Sequence, residues 1–133
     1  MLLVKPQESL PTPAIFKALD LSRRSTADPR KLLEALRKAG SMPQELAVND
    51  LETPAFETLP LLAGLKERLR ATGLYESVFM TGSGSTMVCM GSDEVPDFVA
   101  QDASLFRASA RLITRDPQGW YEPVDDAELA SAA

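Results

Sequence analysis

The sequence contains no histidine, and this absence excludes more chemistry than any residue present suggests. An imidazole base, a Ser-His pair or a His-ligated metal cannot be built within the chain. Cysteine is almost as scarce. Cys89 alone cannot form an intramolecular disulfide or a Cys-rich zinc site, which points to a reducing compartment, cytoplasmic if nothing else assigns it. No uninterrupted apolar run reaches the roughly eighteen residues that a membrane helix needs. Met1-Leu2-Leu3-Val4-Lys5-Pro6 has neither the length of a signal peptide nor the Arg- and Ser-rich character of a transit peptide. Positive charge is in the minority: 14 basic against 19 acidic residues give a formal charge of -5. Neither a nucleic acid nor a membrane is therefore expected as a partner. What remains is 133 residues with 44% hydrophobic content, enough for one modest core.

Three capping residues stand directly before prolines: Thr12-Pro13, Asp28-Pro29 and Thr53-Pro54. A cap followed by proline in the first turn predicts a helix start at each. Ile15, Phe16 and Leu19 follow the first at helical spacing. Leu32, Leu33 and Leu36 follow the second as far as Gly40, and Phe56, Leu59, Leu62, Leu65 and Leu69 follow the third as far as Gly73. Pro60 interrupts this last run, predicting a kinked helix or two helices in succession. Ser77–Thr81 and Thr86–Met90 are β-prone runs around Gly82-Ser83-Gly84-Ser85, a hairpin signal. Leu2–Lys5 and Arg111–Thr114 are expected as further strands, and Val95–Asp102 as a helix. The order predicts an α+β, ferredoxin-like fold: a four-stranded, mostly antiparallel sheet with helices on one face. Residues 1–115 form the expected domain. The acidic, alanine-rich 116–133 form a tail whose first part Trp120 and Tyr121 are placed to pin.

Three segments could carry chemistry. Met80-Thr81-Gly82-Ser83-Gly84-Ser85-Thr86 can turn successive backbone N–H groups toward one anion, with hydroxyls as extra donors, or it can be simply a tight hairpin turn. It is neither a Walker A loop nor a dinucleotide fingerprint. Lys5-Pro6 leading through Leu10-Pro11 to Thr12 and Phe16 would bring a hydroxyl and a ring together, a pairing that suits a nucleobase; the plainer alternative is an N-cap and a core ring. Asn49-Asp50-Leu51-Glu52 with Glu57 gathers three carboxylates and an amide, read as an acid-enriched helix start in preference to a magnesium site, so no metal ligand is assigned. Arg23-Arg24 and Arg30-Lys31 read as solvated charges, and Cys89 as a small core residue.

Four of these blocks, in order, carry a resemblance. Leu3–Pro6, Pro11–Phe16, Asn49–Glu52 with Pro54–Glu57, and Val78–Thr86 resemble the C-terminal half of the 4-diphosphocytidyl-2-C-methyl-D-erythritol kinases, members of the GHMP kinase superfamily. Residues 113–123 resemble the plant and algal plastid forms. The resemblance implies ATP-dependent phosphorylation of the 2-hydroxyl of a cytidine-diphosphate-linked methylerythritol, in non-mevalonate isoprenoid synthesis in the plastid stroma. It implies that Thr12 and Phe16 line the cytidine side of the substrate pocket, and that Gly82, Ser83, Gly84 and Ser85 form a glycine loop beside the phosphates. It further implies that ATP and magnesium are held mainly by an N-terminal GHMP kinase domain, which supplies the catalytic lysine and aspartate. No catalytic residue is assigned within this chain. Met1 stands where the family is in mid-chain, so the expectation is a C-terminal domain or fragment, inactive alone, with an apolar face meant for the other domain. A free-standing, non-catalytic binding or regulatory module with the same fold is the alternative. A half of another superfamily kinase would keep the glycine loop but not Thr12–Phe16.

Overall fold

The structure is a computed structural model that describes residues 1–114. The expected tail 116–133, with Trp120 and Tyr121, lies outside the described residues.

Four strands, β1 (Leu2–Pro6), β2 (Ser77–Met80), β3 (Met87–Met90) and β4 (Leu105–Ser109), form one sheet in the order β2-β3-β1-β4. All three pairings are antiparallel. Between β1 and β2 lie α1 (Thr12–Ala18), α2 (Pro29–Ala39), α3 (Glu52–Thr58) and α4 (Leu61–Ala71), and between β3 and β4 lies the single turn α5 (Asp97–Ala100). This is the ferredoxin-like order, with several helices in the first crossover where the simplest form has one.

Strand alternation decides which side chains meet the helices. Leu2 and Val4, Val78 and Met80, and Met87 and Cys89 share one face and are nearly inaccessible. Ile15 of α1, Ala55 of α3, Leu62, Leu65 and Leu69 of α4, and Val99 of α5 close over them into one cluster. Burying each of the larger aliphatic side chains contributes about 1.5–3 kcal/mol. Only α2 stands apart. Its Asp28 cap accepts from the Arg30 amide and Gly40 ends it at φ 68°, as its sequence predicts, yet none of its residues is buried. Its Leu36, with Met42 beyond it, instead borders a cleft of about 790 Å³ on the second sheet face, lined also by Leu3, Phe79, Val88 and Met90.

Several boundaries differ from expectation. Thr12 is not the cap of α1: Pro11 holds that position and no side chain caps the helix. α3 starts at Glu52, ahead of Thr53-Pro54. Pro60 separates two helices because it lacks an N–H and disfavours helical backbone at Leu59, whose φ and ψ are -135° and 82°. α5 is confined to Asp97–Ala100, beginning after Pro96. The last strand is Leu105–Ser109 and not Arg111–Thr114. The reason is the register: β4 pairs with β1 from Pro6↔Leu105 to Leu2↔Ser109, and Met1 and Ala110 exchange backbone hydrogen bonds of 3.1 and 2.9 Å. Leu112 and Ile113, beyond this ladder, lie exposed.

Candidate functional site

The β2–β3 connection, Thr81–Thr86, is a tight turn. The Thr81 amide donates to the Thr86 carbonyl at 2.9 Å and the Gly84 amide to the Thr81 carbonyl at 3.1 Å. Gly82 and Gly84 hold φ values of 57° and 90°, in the region that favours glycine. Gly84 also faces a steric limit, since a Cβ there would stand 2.7 Å from Met80 Sδ. The turn and the anion nest are compatible in this geometry. Among the described residues, the amides of Gly82 and Ser83 donate to no acceptor, leaving two N–H groups for a ligand.

The second candidate segment meets the first. Thr12 Oγ1 lies 2.8 Å from Ser83 Oγ, so the hydroxyl that local sequence assigns to a helix cap is spent on the glycine loop, 71 residues away. Phe16 follows one turn later on α1 and is 57% exposed while its neighbour Ile15 is fully buried, so the ring stands out from the core beside the helix. Ser85 is buried, and its hydroxyl donates to the Glu8 carbonyl at 2.7 Å. It thus ties the loop to the β1–α1 connection and presents no free hydroxyl outward.

The third segment supports the loop from the other side. Asn49 Nδ2 donates to the carbonyls of Met80 at 2.8 Å and Gly82 at 2.9 Å, while its Oδ1 accepts from the Leu51 amide. Glu52 Oε1 accepts from the Met80 amide at 2.8 Å, and its other oxygen pairs with Lys66 at 2.5 Å, both side chains 15% exposed. Gln44 bonds both the amide and the carbonyl of Val78. These three side chains satisfy the outer backbone groups of β2, an edge strand that would otherwise be open to pairing with another chain. The carboxylates of this segment are engaged singly: Asp50 accepts from the Ser25 amide and hydroxyl, and Glu57 pairs with Arg23. Arg23 is thus solvated and also paired at the surface, an arrangement worth little in stability. Among the described residues no three His, Cys, Asp or Glu side chains converge. Cys89 is buried and its thiol is pushed up to about 12 by burial, so at neutral pH it packs as an apolar group.

Sequence reasoning singled out Thr12, Phe16 and the glycine loop but gave no role to Gln44 or Asn49. Apart from the Leu51 amide beside Asn49, their partners are backbone atoms more than thirty residues away, and local pattern carries no sign of such bonds.

No protein-family model matches the chain. It is 45% identical over 137 residues to the chloroplastic 4-diphosphocytidyl-2-C-methyl-D-erythritol kinase of Mentha piperita, covering 98% of this chain and 34% of that protein. With the chloroplastic/chromoplastic kinase of Solanum lycopersicum the identity is 44%, over 97% of this chain and 33% of that one. A crystal structure of 4-(cytidine 5'-diphospho)-2C-methyl-D-erythritol kinase superposes with a TM-score of 0.55 at 29% identity, over 80% of this chain and 41% of its own. The chain is a homologue of part of these kinases. It spans about one third of the length of the curated relatives it matches, and the plant kinases match it almost from end to end. Among the described residues no helix is long and apolar enough to cross a membrane.

Proposed function

We propose that this chain is the C-terminal portion, residues 1–115 with a tail, of a plastid-stromal 4-diphosphocytidyl-2-C-methyl-D-erythritol kinase. That enzyme would transfer the γ-phosphate of ATP to the 2-hydroxyl of the cytidine-diphosphate substrate, in non-mevalonate isoprenoid synthesis. In this reading Thr12 and Phe16 form the cytidine side of the pocket, and Gly82 to Ser85 form the loop beside the phosphates. The observation that supports it is the 2.8 Å hydrogen bond between Thr12 and Ser83, which joins α1 to the glycine loop.

The residues present fit part of the required chemistry. Two unengaged loop amides suit phosphate oxygens, and an exposed ring suits a pyrimidine. Glu52 and Asp50, by contrast, are committed to Lys66, Met80 and Ser25, so magnesium and the ATP phosphates fall to the N-terminal GHMP kinase domain. When bound, the metal and that domain supply the charge neutralisation that phosphoryl transfer requires. This chain orients: the Phe16 ring packs on the base, the Thr12 hydroxyl gives it the hydrogen-bonding capacity left beside its bond to Ser83, and fixed dipoles face the phosphates with little reorganisation. Phe16 and Leu21, 57% and 67% exposed around the end of α1, support a second domain packing there.

The test joins the pure chain with the remaining two thirds of the Mentha piperita kinase made as a separate polypeptide. Neither part should phosphorylate the substrate alone, and the mixture should, with Phe16→Ala raising KM for the cytidine substrate. Binding of cytidine diphosphate without phosphorylation in the mixture would favour a non-catalytic module and refute the proposal.

A further inference from the structure

We propose that Asn49 is the positioning residue of the glycine loop, aiming the Ser83 amide at the phosphate through its hold on the Gly82 carbonyl. The inference rests on the reading above, in which this loop faces the diphosphate.

The geometry uses the whole side-chain amide. Both donor hydrogens of Nδ2 go to carbonyls, Met80 at 2.8 Å and Gly82 at 2.9 Å, and Oδ1 takes the Leu51 amide at 3.0 Å. Asparagine is the short side chain that offers two donors and an acceptor on one plane. In a trans peptide the C=O and the following N–H point in opposite directions. Drawing the Met80 carbonyl toward Asn49 therefore turns the Thr81 N–H the other way, where it meets the Thr86 carbonyl and closes the turn. Drawing the Gly82 carbonyl toward Asn49 turns the Ser83 N–H away from Asn49, where it has no acceptor among the described residues. One side chain thus closes the turn and aims a donor. Gly82, at φ 57°, supplies the reversal between the two peptides. The Oδ1 bond anchors the arrangement to the chain entering α3, whose Glu52 holds the Met80 amide at 2.8 Å.

Asn49→Asp separates this role from the helix-entry role. Asp keeps an oxygen for the Leu51 amide but replaces the two donors with an acceptor facing two carbonyls. Four measurements on the full chain decide the matter: melting temperature, the 1H–15N shifts of Gly82, Ser83 and Gly84, affinity for cytidine, and affinity for cytidine diphosphate. The expected result is a folded variant in which the Ser83 amide moves, cytidine affinity is unchanged, and cytidine diphosphate affinity falls about ten- to hundredfold, the loss of one or two charge-assisted bonds. A merely structural asparagine would weaken both ligands together or neither, and either pattern overturns the proposal. If neither the unmodified chain nor its mixture with the N-terminal polypeptide binds cytidine diphosphate, the reading of the loop fails. The hold on the loop is then judged by the Ser83 shift alone, and an unmoved Ser83 amide refutes it. Should Asn49→Asp not fold, the unmodified chain still decides: slow exchange of the Asn49 side-chain amide and downfield Met80 and Gly82 carbonyl carbons are expected, and fast exchange with ordinary shifts refutes the clamp.

Discussion

Replacing Gly84 by alanine should be the most damaging single-methyl change in the loop, and the cost has two separable sources. The backbone at φ 90° disfavours any side chain, by about 1–2 kcal/mol. The added Cβ would also stand 2.7 Å from Met80 Sδ and 3.2 Å from Leu10 Cδ1. Met80 is flexible, but it is 1% exposed and packed in the core cluster, so its displacement is passed to its neighbours at a cost of about 1–3 kcal/mol. The total is about 2–5 kcal/mol, or roughly 3–5 °C of melting temperature per kcal/mol in a chain of this size. Gly82 is the internal control, since its φ is 57° and nothing lies within 4 Å of the added carbon, so Gly82→Ala should cost only about 1–2 kcal/mol. Urea denaturation followed by circular dichroism reads both variants. In a Met80→Ala background most of the steric part should vanish, leaving only the 3.2 Å approach to Leu10 and bringing the two glycine variants closer together. A Gly84→Ala protein as stable as Gly82→Ala in the natural background would refute this reasoning.

Glu52→Gln keeps an acceptor for the Met80 amide but leaves the largely buried Lys66 ammonium without its counter-charge, so chemical denaturation should show a loss of about 1–3 kcal/mol, with part recovered in Glu52→Gln/Lys66→Met. Ser77 Oγ is buried and has no hydrogen-bond partner among the described residues, so Ser77→Ala should leave the melting temperature unchanged or raise it. With its thiol pushed up to about 12 by burial, Cys89 should react with a disulfide reagent at neutral pH only as fast as the chain unfolds; rapid labelling of the native protein would contradict its place in the core. Burial likewise pushes the Tyr75 phenol up to about 12, from 10.0, while its hydroxyl donates to the Glu94 carbonyl. The associated stability is present below pH 10 and lost as pH rises through 12, so a Tyr75→Phe variant should show a shallower alkaline decline in denaturation midpoint.

Elements whose causes are local were legible in advance. Asp28-Pro29 with Gly40 bounded α2 correctly because cap, proline and left-handed glycine all act within one turn of backbone. The glycine-rich spacing between two β-prone runs marked the hairpin, and Pro60 marked the helix break for the same reason. The final strand was misplaced by propensity. Leu112 and Ile113 are better strand formers than Ala108 or Ser109, but the register with β1, from Pro6↔Leu105 to Leu2↔Ser109, places the earlier run along the partner's backbone.

The candidate site divides along the same line. Composition, the glycine loop and the bounds of α2 follow from the sequence by itself, because each is a property of neighbouring residues and their intrinsic torsions. Thr12 joining Ser83 in place of capping its helix, Ser85 turning inward to Glu8, and Gln44, Asn49 and Glu52 sealing the edge of β2 were decided only in three dimensions. A buried or edge polar group must find a partner, and which partner it finds depends on what the packed sheet and helices bring within about 3 Å, however far apart the residues lie along the chain.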